Sequence, residues 1–156
     1  MTVRPDRETR LLLDVGRRRT ELRAAMDALE SALAAPVGNG ASVAAWTGRL
    51  QGALHRLYDA VAAHVSITEG PDGLYAELAK HSPRLTNAAL RLGEEHADVL
   101  RRLEELLTLA DASSGSAYAS QARKVGTELL VVLMRHRQRG ADLVFEAFGL
   151  DIGGET

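Results

Sequence analysis

The stretch PRLTNAALRLGEEHADVLRRLEELL, residues 83–107, decides how the chain folds. Its apolar residues Leu85, Ala89, Leu92, Leu100, Leu103 and Leu107 recur every three or four positions. An α-helix turns ~100° per residue, so these side chains share one stripe. Arg91, Glu94, Arg101 and Glu105 take the opposite side. The period-two alternation of a strand is absent. Pro83 suits a first helical turn, where its missing N–H has no partner to lose. One polar residue interrupts the stripe: all six apolar side chains fall within ~40° of His96.

The same rhythm extends in both directions. Breakers at Pro36-Val37-Gly38-Asn39-Gly40, Gly70-Pro71-Asp72-Gly73, His81-Ser82-Pro83 and Asp111 to Ser116 divide the chain. The segments between them are rich in Leu, Ala, Arg and Glu, which lose little freedom in a helix. The pattern predicts helices over 6–35, 42–68 with an extension at 73–80, 83–110 and 116–148, then a tail at 149–156. Ser42 is the expected N-cap of the second helix. Leu11, Val15, Leu22, Met26, Leu29 and Leu33 stripe the first helix, and Trp46, Leu50, Leu57 and Val61 the second. Long amphipathic helices with short connections pack as an all-α, antiparallel up-down-up-down four-helix bundle, a single domain over residues 1–156.

Composition narrows the chemistry. The chain has 156 residues, enough to bury a core without covalent staples, and no cysteine. Any metal must therefore be held by histidine and carboxylate. Formal net charge is −2, so no global field draws nucleic acid, which is not an expected partner. The basic clusters Arg17-Arg18-Arg19 and Arg135-Arg137-Arg139 read as solvated helix faces. No apolar run is long enough to span a membrane, and Met1 to Arg10 lacks the apolar core of a signal peptide, so we expect a cytoplasmic protein. No nucleophile triad or phosphate loop is visible, and no catalytic residue is assigned.

The histidines carry what functional signal there is. Trp46, Leu57 and Val61 fall within ~60° of His64, and Leu129, Val132 and Leu143 within ~40° of His136. With His96, each of three helices points one histidine into the core. His55 faces away, and His81 is expected in a loop. Counting along the helices puts His64 and His96 at one level, with His136 about six residues, ~9 Å, out of register. Glu94, Glu95, Glu104 and Glu105 read as surface pairs with Arg101 and Arg102. Tyr58, Tyr75 and Tyr118 read as packing at the edge of the core.

Several strings together resemble the hemerythrin-like, or HHE cation-binding, family. They are His-Val-Ser-Ile-Thr-Glu at 64–69, Gly-Leu-Tyr-Ala-Glu-Leu at 73–78, Pro-Arg-Leu at 83–85, Glu-Glu-His at 94–96, and Arg-His-Arg-Gln-Arg-Gly-Ala-Asp-Leu-Val-Phe-Glu-Ala-Phe at 135–148. The resemblance implies a bundle that holds a pair of non-haem irons on histidines and bridging carboxylates. It also implies work in dioxygen or small-molecule binding, iron handling or redox sensing. It makes His64, His96 and His136 the metal ligands.

The departures are specific. The first helix has no histidine, and Arg18 and Arg19 occupy part of that face. A bridging carboxylate belongs four residues after the histidine, on the same face. Thr68, Leu100 and Gly140 stand there instead. A normal di-iron centre is therefore not expected. Two outcomes remain open. One is a residual or altered site with a single divalent ion, iron or zinc, on His64, His96 and His136, serving small-molecule or redox sensing. The other is a metal-free degenerate bundle that acts as an interaction module, as a homodimer or with a protein partner. A guanidinium of Arg18 or Arg19 turned inward would favour the second.

Overall fold

The computed structural model describes residues 6–39, 41–112 and 116–149. These form a helical bundle: α1 Arg7–Ala34, α2 Ala41–Thr68, α3 Leu74–His81, a 3-10 turn at Pro83–Leu85, α4 Thr86–Ala112 and α5 Ser116–Phe148. No strand occurs among the described residues. None of their helices is long and apolar enough to cross a membrane. Asp6, expected as the first helical residue, is the N-cap of α1, its carboxylate accepting from Thr9 N at 2.7 Å. The tail beyond Gly149, and residues 113–115 of the last break, lie outside the described residues.

Some boundaries differ from the sequence reading. The expected extension at 73–80 is a helix of its own, α3, because Gly70 at φ +87° turns the chain after α2. His81 ends that helix rather than lying in a loop, and its Nε2 donates to Glu8 at 2.6 Å. Ser42 lies inside the first turn of α2, which starts one residue earlier. Pro83 opens the 3-10 turn, and α4 proper starts at Thr86.

Contacts at the helix ends fix how the elements meet. At the start of α1, Arg7 pairs with Asp72 at 2.6 Å. At its other end, Arg123 near the start of α5 donates to the Leu33 and Ala35 carbonyls, each at 2.8 Å. Gln51 in α2 donates to Asp111 in α4 at 2.9 Å, and Arg84 pairs with Glu146 in α5 at 2.5 Å.

The interior is divided. One apolar cluster contains Leu22, Leu29, Leu50, Leu57, Val61, Val99, Leu103, Leu129 and Leu133. A smaller one contains Val15, Leu74, Leu78, Leu85, Leu92, Leu143 and Val144. A fully buried leucine contributes about 1.5–3 kcal/mol through removal from water. On α4 the buried positions are 85, 89, 92, 96, 99, 103, 106 and 110. Val99 and Leu106 thus replace Leu100 and Leu107, which are half-buried against the larger cluster. Spacing that alternates four and three averages about 3.5 residues per turn, the repeat of helices that wrap around one another.

The buried polar residues among those described are Arg19, His64, Thr68, His96 and His136. Along α1, Arg19 falls between Val15 and Leu22; along α4, His96 falls between Leu92 and Val99; along α5, His136 falls between Leu133 and Leu143. A polar layer therefore crosses the bundle between the two apolar clusters.

The α2–α3 junction that supports this layer is tight. A Cβ at Gly73 would stand 2.4 Å from the Glu69 carbonyl oxygen and 2.6 Å from that of Thr68. Backbone cannot give way as a side-chain tip does. Gly73→Ala should lower unfolding stability by about 1–3 kcal/mol in urea titrations. Gly52→Ala is the control: nothing lies within 4 Å of its new methyl. It should gain about 0.5–1 kcal/mol from helix propensity.

Candidate metal centre

The three inward histidines meet. His64 Nε2 lies 3.1 Å from His136 Nε2, and His96 Nε2 lies 3.2 Å from the same atom. One nitrogen from each ring falls within 4.8 Å of the others. The rings stand edge to face, with centroids 4.8–5.2 Å apart. The sequence count had set His136 about 9 Å off level. His55 is exposed, as expected.

Each outer nitrogen of two of these rings has a carboxylate. His96 Nδ1 donates to Glu69 Oε1 at 2.8 Å. His136 Nδ1 donates to Glu95 Oε2 at 2.7 Å, and Arg139 donates to the other oxygen of Glu95 at 2.5 Å. An ionised carboxylate can only accept, so each of these protons sits on Nδ1. A neutral ring has one proton, so both inner Nε2 atoms present lone pairs. Burial holds the His64 pKa down to about 3, with the His136 and His96 imidazoles adding to the effect. Burial also lowers the His136 pKa, although the bond to Glu95 pulls the other way. Burial thus disfavours the charged form of His64 and of His136.

Sequence reasoning missed the carboxylates. Glu95 belongs to the site rather than to a surface pair; Arg101 and Arg102 pair with Asp98 at 2.6 and 2.9 Å, and Arg101 also meets Glu105 at 3.9 Å, as expected. Glu95 looks like a surface residue because it stands ~100° from His96, but that direction faces α5. Tyr75 is also more than packing. Its ring stacks on His96 at 5.8 Å and 21°, and its hydroxyl lies 3.3 Å from His96 Nε2. Burial raises its pKa, so the phenol keeps its proton and serves as a donor.

The inward arginine is Arg19. It is 7% exposed and donates from Nη1 to the Arg137 carbonyl at 3.1 Å. Arg18 pairs with Glu21 at the surface, 2.9 Å away. The expectation of solvated basic faces therefore holds for Arg17 and Arg18 and fails for Arg19.

These residues can be tested against a metal. Imidazole nitrogens bind a transition ion at about 2.0–2.1 Å, which places neighbouring donors of a tetrahedral set about 3.3 Å apart. The observed separations of 3.1 and 3.2 Å fit one ion. A carboxylate on the outer nitrogen is the usual support for a metal-binding histidine. The positions expected for bridging carboxylates hold other groups. The Thr68 hydroxyl is turned back to the His64 carbonyl at 2.8 Å. Leu100 is apolar, and a Cβ at Gly140 would stand 4.0 Å from Arg19 Nη1. A smaller triad, Glu8, Glu77 and His81, also gathers at the surface, where the Glu8–His81 pair explains it.

The family model of the hemerythrin HHE cation binding domain matches residues 19–148. No curated protein and no solved structure matches the chain.

The neutral cluster has a consequence for stability. In the unfolded chain His64 titrates near 6.5, in the folded chain near 3. Below pH 6.5 the unfolded state takes up a proton that the folded state refuses, so stability is full above that pH and falls below it. The slope is about 1.4 kcal/mol per pH unit for each such histidine. Urea titrations of chelator-treated protein should therefore lose roughly 2 kcal/mol between pH 6.5 and pH 5. A His64→Leu variant should lose part of that slope.

Proposed function

We propose that this chain, which belongs to the hemerythrin HHE cation binding domain family, holds a single divalent ion, iron or zinc, on His64, His96 and His136. The observation that carries this reading is the pair of carboxylates on the outer nitrogens. Glu69 and Glu95 fix the tautomers of His96 and His136 and turn two lone pairs inward at metal-ligand spacing. His64 supplies the third donor in its matching tautomer. We read the frame as an antiparallel four-helix bundle of α1, α2, α4 and α5, with α3 as a cap that brings Tyr75 to the site.

The ion would supply an electrophilic centre with a position left open for a small ligand. The chain supplies the rest. The two apolar clusters keep bulk water from the histidines. Tyr75 holds a proton beside His96 and can donate it in a hydrogen bond to an oxygen or nitrogen atom bound there. The carboxylates raise the basicity of the histidines they support. This set suits reversible binding of a small molecule, or sensing of redox state where the ion is iron, and it includes no group placed to act as a nucleophile.

A second reading is favoured by Arg19. A buried guanidinium in the same layer disfavours a cation. The layer can also satisfy itself without metal: His64 donates to His136, and Tyr75 donates to His96. On that reading the bundle is an interaction module, as a homodimer or with a protein partner. Glu69 and Glu95 weigh against it, because their charges offset the arginine's.

Elemental analysis of protein purified without chelator decides between them. Near one equivalent of iron or zinc is expected in the parent and none in His96→Ala. Glu95→Gln and Glu69→Gln should retain the fold and bind the ion about 10–100-fold more weakly in competition titrations. A metal-free parent that also takes up no iron or zinc on reconstitution would sink the metal reading.

A further inference from the structure

A second site lies between α1 and α5. A cavity of about 820 Å³ opens there, within the range of small-molecule pockets. One wall is the face of α1 from Arg19 to Ala34, the other the face of α5 from Arg123 to Gln138. The helices pass with Arg19 against Arg137 at one end and Leu33 against Arg123 at the other. From Arg19 to Leu33 the groove runs ~21 Å at 1.5 Å per residue.

Its lining is graded along that length. Arg19, Arg23 and Arg137 gather guanidinium groups at one end. Met26, Leu130, Val131 and Met134 make the middle apolar. Met134 is 62% exposed and Val131 40%, an unusual amount of bare hydrocarbon on a helix face. Arg123, at the far end, is committed to the Leu33 and Ala35 carbonyls and lies over the Trp46 ring at 5.6 Å. Asp27 and Glu30 also line the cavity and are exposed to solvent. The positive charge is thus concentrated where Arg19 is buried, and the hydrocarbon surface leads away from it.

We propose that this groove binds an amphipathic carboxylate of the fatty-acid class. The head sits on Arg19, Arg23 and Arg137, and the hydrocarbon lies along Met26, Leu130, Val131 and Met134. Guanidinium groups take a carboxylate through paired, charge-assisted hydrogen bonds. The walls remove the chain's methylenes from water. A neutral lipid would lose the head contacts, and a cationic one would be repelled. The site does not depend on metal at the histidines.

Calorimetric titration with dodecanoate, dodecanol and dodecyltrimethylammonium tests this. Dodecanoate should bind at one equivalent, in metal-loaded and chelator-treated protein alike. The alcohol should bind at least about tenfold more weakly and the cation not at all. Arg23→Glu removes a head contact, and Met134→Glu puts charge on the hydrocarbon path. Each should weaken dodecanoate at least about tenfold with unchanged circular dichroism and melting temperature. Equal affinity for acid and alcohol, undiminished binding in both variants, or no binding of dodecanoate would overturn the proposal. So would a dimer that buries the groove and dissociates in Met134→Glu.

Discussion

A polar layer crosses an otherwise apolar interior, and the rest of the structure is arranged to tolerate it. An unpaired buried polar group costs about 1–3 kcal/mol. Here three imidazoles, a threonine and a guanidinium are buried between the two clusters. Each finds a partner from a different helix or from its own backbone: His96 from the end of α2, His136 from α4, Arg19 from the α5 main chain, Thr68 from its own preceding turn. The apolar clusters on either side hold the helices at the spacing these contacts need. The layer also fixes register, since sliding α4 or α5 by a residue would break partners on two other elements.

The helical frame was largely legible in the chain. Leucine spacing placed the helix ends within three residues, and the ~100° rule put His64, His96 and His136 inside without any knowledge of neighbours. Their meeting was not legible, because height depends on where a connection turns and on side-chain reach. Glu95 and Glu69 were hidden for a different reason. Their partners stand 41 and 27 residues away in the chain, on other helices. Periodicity ranks a residue by its angle on one helix, so a carboxylate at the seam between two helices looks exposed. Glu69 is indeed 44% exposed while bonded to a buried ring. Arg19 was legible as a question only: its face was known, its destination was not.

The departures from the family's ligand pattern form a connected change. Thr68 turns its hydroxyl to backbone, and Gly140 leaves space beside which Arg19 lies. The place where a further donor and a bridging carboxylate would stand is thus taken by a positive group. Glu69 and Glu95 then act on the outside of the rings rather than between ions. The helical bundle is kept, and the carboxylates stand on the outer side of the rings.

The protons on Nδ1 of His96 and His136 have one more implication. Metal uptake by histidines ordinarily displaces protons, which the buffer must absorb. Here the protons on two of the rings already lie on the far side, where Glu69 and Glu95 hold them. An incoming cation would meet two lone pairs already turned toward it. Those two rings would receive it without turning over.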